Sequence, residues 1–391
     1  MSFLNNMLVV DFSQFLSGPS ASLTLADLGA RVIKIERPDT GDICRELYVS
    51  DVVIDGESSI FQAINRSKES YVADLKNATD LGKIKKLLKR AEVVIHNFRP
   101  GVMERLGLDY ETVKQLNPSV VYGSISGFGA EGPWKDLPGQ DLLLQSATGI
   151  TLLNNTAHEN PTPLGVSIVD ILSGAHLAQG ILSLLYQKMV SGEGGEVQVS
   201  MLESALDFQF ELLTCYYNDG NELPQRSEVN GGHPYVGAPY GIYKTADSWL
   251  ALAMTDIVRL GQLTDCYALL AYTNSDEWFT QRDAIKQVLA AHLQQRSTKE
   301  WLAVLEPADI WCSEVLNYME LRSHPAYKEL DMEMTVKNSN GTVITTTRCP
   351  FKIDGQLLTS TTGAPVLGEH TSAIDKEFGL NQLQKEGAVV S

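Results

Sequence analysis

The chain has 391 residues, 43% of them hydrophobic and 20% charged, and a formal net charge of −17 at pH 7. That length and composition exclude a disordered or fibrous chain and leave room for one large or two ordinary globular domains. The acidic balance argues against nucleic acid and anionic membranes as partners, so any phosphorylated ligand must be held by local cations.

In chain order the first half alternates strands and helices. Leu8 to Phe12 (LVVDF) is a buried-strand pattern, which Ser17-Gly18-Pro19 breaks before a helix running through Leu23 and Leu25. Ala30 to Arg37 is the next strand and Pro38 ends it. Leu81 to Arg90 is an amphipathic helix, and its basic run at 83–90 reads most simply as a wet face. Glu92 to His96 is a strand, Tyr110 to Leu116 a helix and Val120 to Ser124 a strand. Strands separated by helices of this length imply βαβ units and a parallel sheet. The texture changes after residue 200. Met201 to Tyr217 reads as one long helix, 218–232 as a loop, and 243–254 as a hairpin turning at Ala246-Asp247-Ser248. Helices follow near 256–272, 281–295 and 298–305, and the tail from Thr335 to Ile353 returns to strands around Asn338-Ser339-Asn340-Gly341. The expected class is α/β: a Rossmann-like large domain with a parallel sheet, built from 1–200 and 330–391, and a smaller α+β domain over 225–325.

Cys44, Cys215, Cys266, Cys312 and Cys349 are scattered, odd in number and never spaced C-x-x-C. Reduced thiols and no metal site are expected. The N-terminus MSFLNNMLVVDF lacks a basic n-region, so no secretory signal is expected. The longest apolar stretches, such as Ile181 to Tyr186, are expected to be too short to span a bilayer. A cytoplasmic location is the expectation. The first strand–helix turn carries Ser17-Gly18-Pro19 rather than G-x-G-x-x-G, which removes the basis for a nicotinamide or flavin. No cofactor is expected.

Two carboxylates stand out between Pro138 and Gly180, in PGQDLLLQSATGI and PLGVSIVDILSGAHLAQG. Asp141 and Asp170 each open an apolar helix pattern. Each has a plain reading as a helix cap and a chemical one as a reactive carboxylate.

The order of seven segments resembles the class III CoA-transferases of the CaiB/BaiF type, the family of formyl-CoA and carnitine CoA-transferases and α-methylacyl-CoA racemases. They are VVDFSQFLSGPSASLTLADLGARVIKIERP, NRSKESYVADLK, HNFRPGVMERLGLDYETV, NPSVVYGSISGFGAEGP, the two-Asp stretch, HPYVGAPYGIY and APVLGEHT. The resemblance implies two interlocked chains, each threading a central hole in the other. It implies CoA transfer from an acyl-CoA donor to a carboxylic acid acceptor, with CoA as substrate rather than cofactor. Asp170 is the implied nucleophile, forming a mixed anhydride and then an aspartyl-CoA thioester, with N–H groups of the following helix facing the oxyanion. Gln14, Phe15, Leu16 and Ser17 are implied CoA contacts through backbone groups, and Arg37 a phosphate contact. Ala73, Lys76, Asn97, Phe98, Arg99 and Arg105 complete that set. Lys76 is otherwise a surface lysine, and Phe98 either stacks on adenine or is core. Gln140, Asp141, Gly231 and Gly232 are auxiliary candidates, the glycines as a shortened lid loop, and His233 beside them reads equally as a turn residue. The racemases place His before the first Asp; here position 140 is Gln, which exchanges no proton at neutral pH. A 2-methylacyl-CoA racemase and a non-catalytic CoA-binding homologue remain the alternatives.

Overall fold

The computed structural model describes residues 3–47 and 52–381; the end of the expected C-terminal segment, 382–391, lies outside them. Two compact units divide the chain. The first comprises Met1–Leu144, Ser167–Ala205 and Asp331–Ser391, the second Gln145–Val166 and Leu206–Leu330.

The first unit runs β1 (Leu8–Asp11), α1 (Ser17–Asp27), β2 (Arg31–Glu36), β3 (Lys68–Val72), α2 (Ala78–Leu88), β4 (Val93–His96), α3 (Tyr110–Leu116), β5 (Val121–Ser126), the start of α4 (Asp141–Ala147, of which the part from Gln145 counts with the second unit), α5 (Ile168–Ser191) and β6 (Gly195–Ser200). Its six strands are all parallel, in the order β3-β2-β1-β4-β5-β6. β1 is central and wholly buried. Val10, Phe12, Ile33 and Val94 join Ile84, Leu87 and Leu88 of α2 in one core, where apolar burial stabilises by ~25 cal/mol per Å² removed from water.

Expected elements at β1, β2, β4, β5, α2 and α3 are present. β3 and β6 were not anticipated, because KESYV turns Lys68 and Ser70 inward and so lacks an apolar run. Ser17-Gly18-Pro19 forms the first turn of α1 rather than a break before it, where Pro loses no intrahelical bond. α5 is long and apolar enough, by length and composition, to cross a membrane, which corrects the expectation that the longest apolar stretches, such as Ile181 to Tyr186 within it, are too short. It packs on α1, β5 and β6 through Val169, Leu177, Ala178, Ile181 and Leu185.

Two further strands, β7 (Glu333–Lys337) and β8 (Val343–Thr347), pair around the expected Asn338–Gly341 turn. The helix α6 (Thr371–Glu377) then returns to the sheet. Asp375 accepts from Tyr71 Oη at 2.7 Å and pairs with Lys83 at 2.9 Å, and Glu377 pairs with Arg31 at 2.6 Å.

The second unit holds helices at Phe210–Asn218, Ile257–Thr264, Arg282–Leu293 and Thr298–Leu305, and an antiparallel sheet of Cys312–Glu314, Trp249–Leu252 and Gly241–Lys244. The expected long helix 201–217 is two, Met201–Asp207 and Phe210–Asn218. This unit also takes in 145–166, which the sequence had assigned to the large domain. Arg226 fastens that segment by donating to the carbonyls of Asn154, Ala157 and Glu159, and Ala157 N–H donates to Ser227 O.

Candidate active site

The strand order reverses between β1 and β4, and ligands of open α/β sheets bind at such a point, outside the carboxyl ends of the strands. The implied CoA contacts cluster there. Gln14 to Ser17 follow β1, Arg37 follows β2, Ala73 and Lys76 follow β3, and Asn97 to Arg99 follow β4. Four adjacent strand ends therefore converge residues that are far apart in the chain.

Asn97 ties the switch together. Its Oδ1 accepts from Gln14 N–H at 2.8 Å and its Nδ2 donates to Gln14 O at 2.7 Å. The same Nδ2 lies 3.4 Å from Ser17 Oγ. Phe15 stands at φ 63°, in the left-handed region, with its side chain exposed; a side chain there costs about 1–2 kcal/mol, and such outliers gather at functional sites. Arg37 Nη2 reaches Gln14 Oε1 at 3.4 Å and is otherwise exposed. The N–H groups of Gln14 and Phe15 already donate to Asn97 and Asp42. Of the backbone groups at Gln14 to Ser17 that the resemblance implies as CoA contacts, these two N–H groups are bonded within the protein.

Asp170 is the third residue of α5 and does not precede the helix. Asp141 caps that helix from a distance: its Oδ1 accepts from Val169 N–H at 2.7 Å and from Asp170 N–H at 3.2 Å. The first N–H groups of α5 are thus occupied, and the expectation that they face an oxyanion is corrected. The helix-capping reading holds for Asp141, although the helix it caps is not its own. Asp141 sits on α4, which begins as Gln140 O accepts from Leu143 and Leu144. Gln140 itself is exposed.

The Asp170 carboxyl is pushed up to about 6, first by burial and then by the Asp141 charge, while a hydrogen bond from Ser17 opposes the shift. Ser17 heads α1, so the carboxylate stands at that helix's positive end. Gly174, one turn along α5, makes the approach possible. A Cβ there would lie 2.0 Å from Ser20 Oγ and 2.6 Å from Ser17 O. A continuous chain of contacts, Gln14 to Asn97 to Ser17 to Asp170, results.

Other candidates stand apart from that chain. Ala73 is buried in the core, and Lys76 is exposed beyond an Asx turn. Phe98, partly buried, packs against the core and with Arg99 lines a cleft of about 530 Å³ over the ends of β4 to β6. Arg105 lies on the short helix Val102–Leu106 and is exposed. Gly231 and Gly232 belong to the second unit and line a cavity of about 430 Å³ with Asn155, Leu164, His233 and Tyr240. A Cβ on Gly231 would meet Asn155 O at 2.5 Å, so close backbone approach accounts for that glycine. The loop is fastened by Arg282 to Gln225 O and Pro234 O, and by Lys286 to Ser227 Oγ.

Sequence reasoning missed a buried charge network beneath the switch. Asp11 accepts from Ser13 and Ser22, and Lys68, pulled down to about 7 by burial, donates to Pro19 O, Ser22 and Asn65. Lys34 and Asp42 pair at 2.7 Å with no side-chain exposure. The available signal was a lysine in the middle of VIKIE, a run otherwise fit for a buried strand.

The model of CoA-transferase family III matches residues 4–371. The acetyl-CoA:oxalate CoA-transferase of Acetobacter aceti is 32% identical, over 96% of this chain and 95% of its own. The succinate–glutarate CoA-transferase of Agrobacterium fabrum is 29% identical, over 96% and 95%. A crystal structure of a CaiB/BaiF family protein from Brucella suis superposes with a TM-score of 0.83 at 27% identity, covering 96% of this chain and 99% of that one.

Proposed function

This chain belongs to CoA-transferase family III, and on that premise we propose that it moves CoA from an acyl-CoA thioester to a carboxylic acid through intermediates on Asp170. The observation that carries the reading is the Asp170 carboxyl, half-buried beside Asp141, bonded by Ser17 and linked through Asn97 to the turn at the switch point.

In the proposed sequence the Asp170 carboxylate attacks the thioester carbonyl and expels CoA thiolate, leaving a mixed anhydride. The thiolate attacks the Asp170 carbonyl, releases the donor acid and leaves an aspartyl-CoA thioester. The acceptor carboxylate attacks that carbonyl, forming a second anhydride and thiolate again. Attack of the thiolate on the acceptor acyl carbon gives the new thioester and restores Asp170. No proton is consumed, and a carboxylate suits the task because its anhydride is more reactive than either thioester. Burial makes the ionised carboxylate poorly solvated and so more nucleophilic, while the Ser17 hydroxyl aims it. Each tetrahedral intermediate carries an oxyanion, which the positive end of α1 favours.

A racemase reading needs a second base where Gln140 stands, and an amide cannot serve. We also propose that the working form is the interlocked homodimer, which sedimentation would test. The relatives' names point the search for acceptors to dicarboxylates such as oxalate, succinate and glutarate. The decisive experiment incubates the protein with acyl-CoA donors and hydroxylamine and weighs the peptide bearing Asp170. A hydroxamate on Asp170 is expected; no adduct with any donor, together with racemisation of a 2-methylacyl-CoA, would overturn the reading.

A further inference from the structure

The β1–α1 turn is gripped from below by an ion pair that the transfer chemistry does not use. Lys34, in the middle of β2, and Asp42, in the loop after it, bring their charged ends within 2.7 Å, both side chains fully buried. The Lys34 ammonium also donates to Ser13 O at 2.7 Å. Asp42 Oδ1 accepts from Phe15 N–H at 3.2 Å and from Cys44 N–H at 2.9 Å. The pair therefore holds the peptide groups on either side of Gln14, and Asn97 holds the N–H and carbonyl of Gln14 itself. Four successive polar groups of one turn, Ser13 O to Phe15 N–H, are bonded by side chains rather than by backbone.

Such an arrangement asks for a reason beyond stability. Burying two charges costs solvation that their attraction only roughly offsets, and apolar replacements of similar volume often leave a fold as stable or more so. What apolar side chains cannot do is bond the carbonyl and the amide that flank Gln14, next to a residue in the left-handed region. Phe15 at φ 63° sits in a conformation that a side chain disfavours. Without the grip, the turn would relax toward the commoner regions, carrying Gln14 and the Arg37 side chain bonded to it.

We propose that Lys34 and Asp42 are positioning residues for the acyl-CoA site, holding the Gln14–Phe15 turn in the shape that receives CoA. This rests on the reading that the switch point takes the CoA thioester. The pair touches no reacting atom; it acts through Ser13, Gln14 and Phe15.

The test compares wild type, Asp42→Asn and the double variant Lys34→Met/Asp42→Leu, which strands no buried charge. Calorimetry with CoA as the probe gives Kd, thermal unfolding gives Tm, and steady-state kinetics give separate KM values for acyl-CoA and acceptor acid. In the double variant CoA Kd and acyl-CoA KM should rise together by at least ~10-fold with the acceptor KM little changed, while Tm falls because Ser13 O and the N–H groups of Phe15 and Cys44 lose their side-chain partners. Asp42→Asn, which keeps an acceptor oxygen for Phe15 but breaks the pair, should raise Kd by ~3-fold or more. Unchanged CoA affinity in the folded double variant overturns the inference, whether or not Tm falls. If the double variant does not fold, unchanged affinity in Asp42→Asn does the same. Wild-type protein that takes up no CoA would sink the functional reading and this inference together, whereas unchanged variants sink the inference alone.

Discussion

Asp141 holds Asp170 by its backbone and perturbs it by its charge. One carboxylate oxygen accepts from the Asp170 N–H at 3.2 Å and from Val169 N–H at 2.7 Å, and the same negative charge is the second cause, after burial, of the raised Asp170 pKa. A residue with two separable effects can be dissected with two substitutions.

Asp141→Asn retains an oxygen for both N–H groups and removes the charge. The acid limb of kcat/KM should move below the wild-type value of about 6, by less than the whole shift because burial is the larger cause, with Tm nearly unchanged. Asp141→Ala removes the cap as well and should lower stability by about 1–2 kcal/mol. Equal loss of Tm in both variants, or an acid limb that stays put in Asp141→Asn, would disprove the division.

A carboxyl whose folded pKa exceeds its unfolded value favours folding while protonated and opposes it once ionised. Asp170 rises from 3.8 to about 6, so its favourable contribution is complete below 3.8 and lost as pH climbs through about 6. Activity runs the other way, since the nucleophile must be ionised. Asp170→Asn should therefore cut transfer by at least ~10³-fold, yet at pH 8 be more stable than wild type by up to ~2 kcal/mol. Paired thermal melts from pH 4 to pH 8 measure the gap. A gap that does not widen with pH would mean that the carboxyl is not buried as described.

Arg37 is exposed beside Gln14 at the switch, and a chain of net charge −17 supplies no general attraction for phosphates. A charge-assisted contact is worth ~1.5–3 kcal/mol. Arg37→Ala should raise the acyl-CoA KM by about tenfold or more, and added salt should weaken wild-type binding and change the variant less. Equal salt slopes for both proteins would remove Arg37 from the phosphate site.

Much of this was legible in the residues. LVVDF and VIKIE announce buried strands by composition, and both Asp residues mark helix starts by type. What a linear reading does not carry is which side chain serves a distant backbone. Asp141 looks like the cap of the helix it begins and caps another 27 residues on. KESYV hid a strand because Lys68 and Ser70 face the network around Asp11 and Glu36 rather than an apolar core. The resemblance implies Gly231 and Gly232 as a shortened lid loop, yet neither has a positive φ, and the close approach of Gly231 to Asn155 is visible only in three dimensions.

The discontinuity of the first unit bears on how the chain is made. α6 supplies Asp375 to Tyr71 and Lys83, and Glu377 to Arg31, so the edge of the sheet at β3 and β2 waits for residues some 300 positions downstream. Domains emerging from the ribosome tend to fold as units, N-terminal first. Here all six strands are made by Ser200, but their β3–β2 edge lacks its helix through synthesis of the whole second unit. Nascent chains stalled before residue 371 should remain protease-sensitive around β3, and release of α6 should close the fold in a single late step.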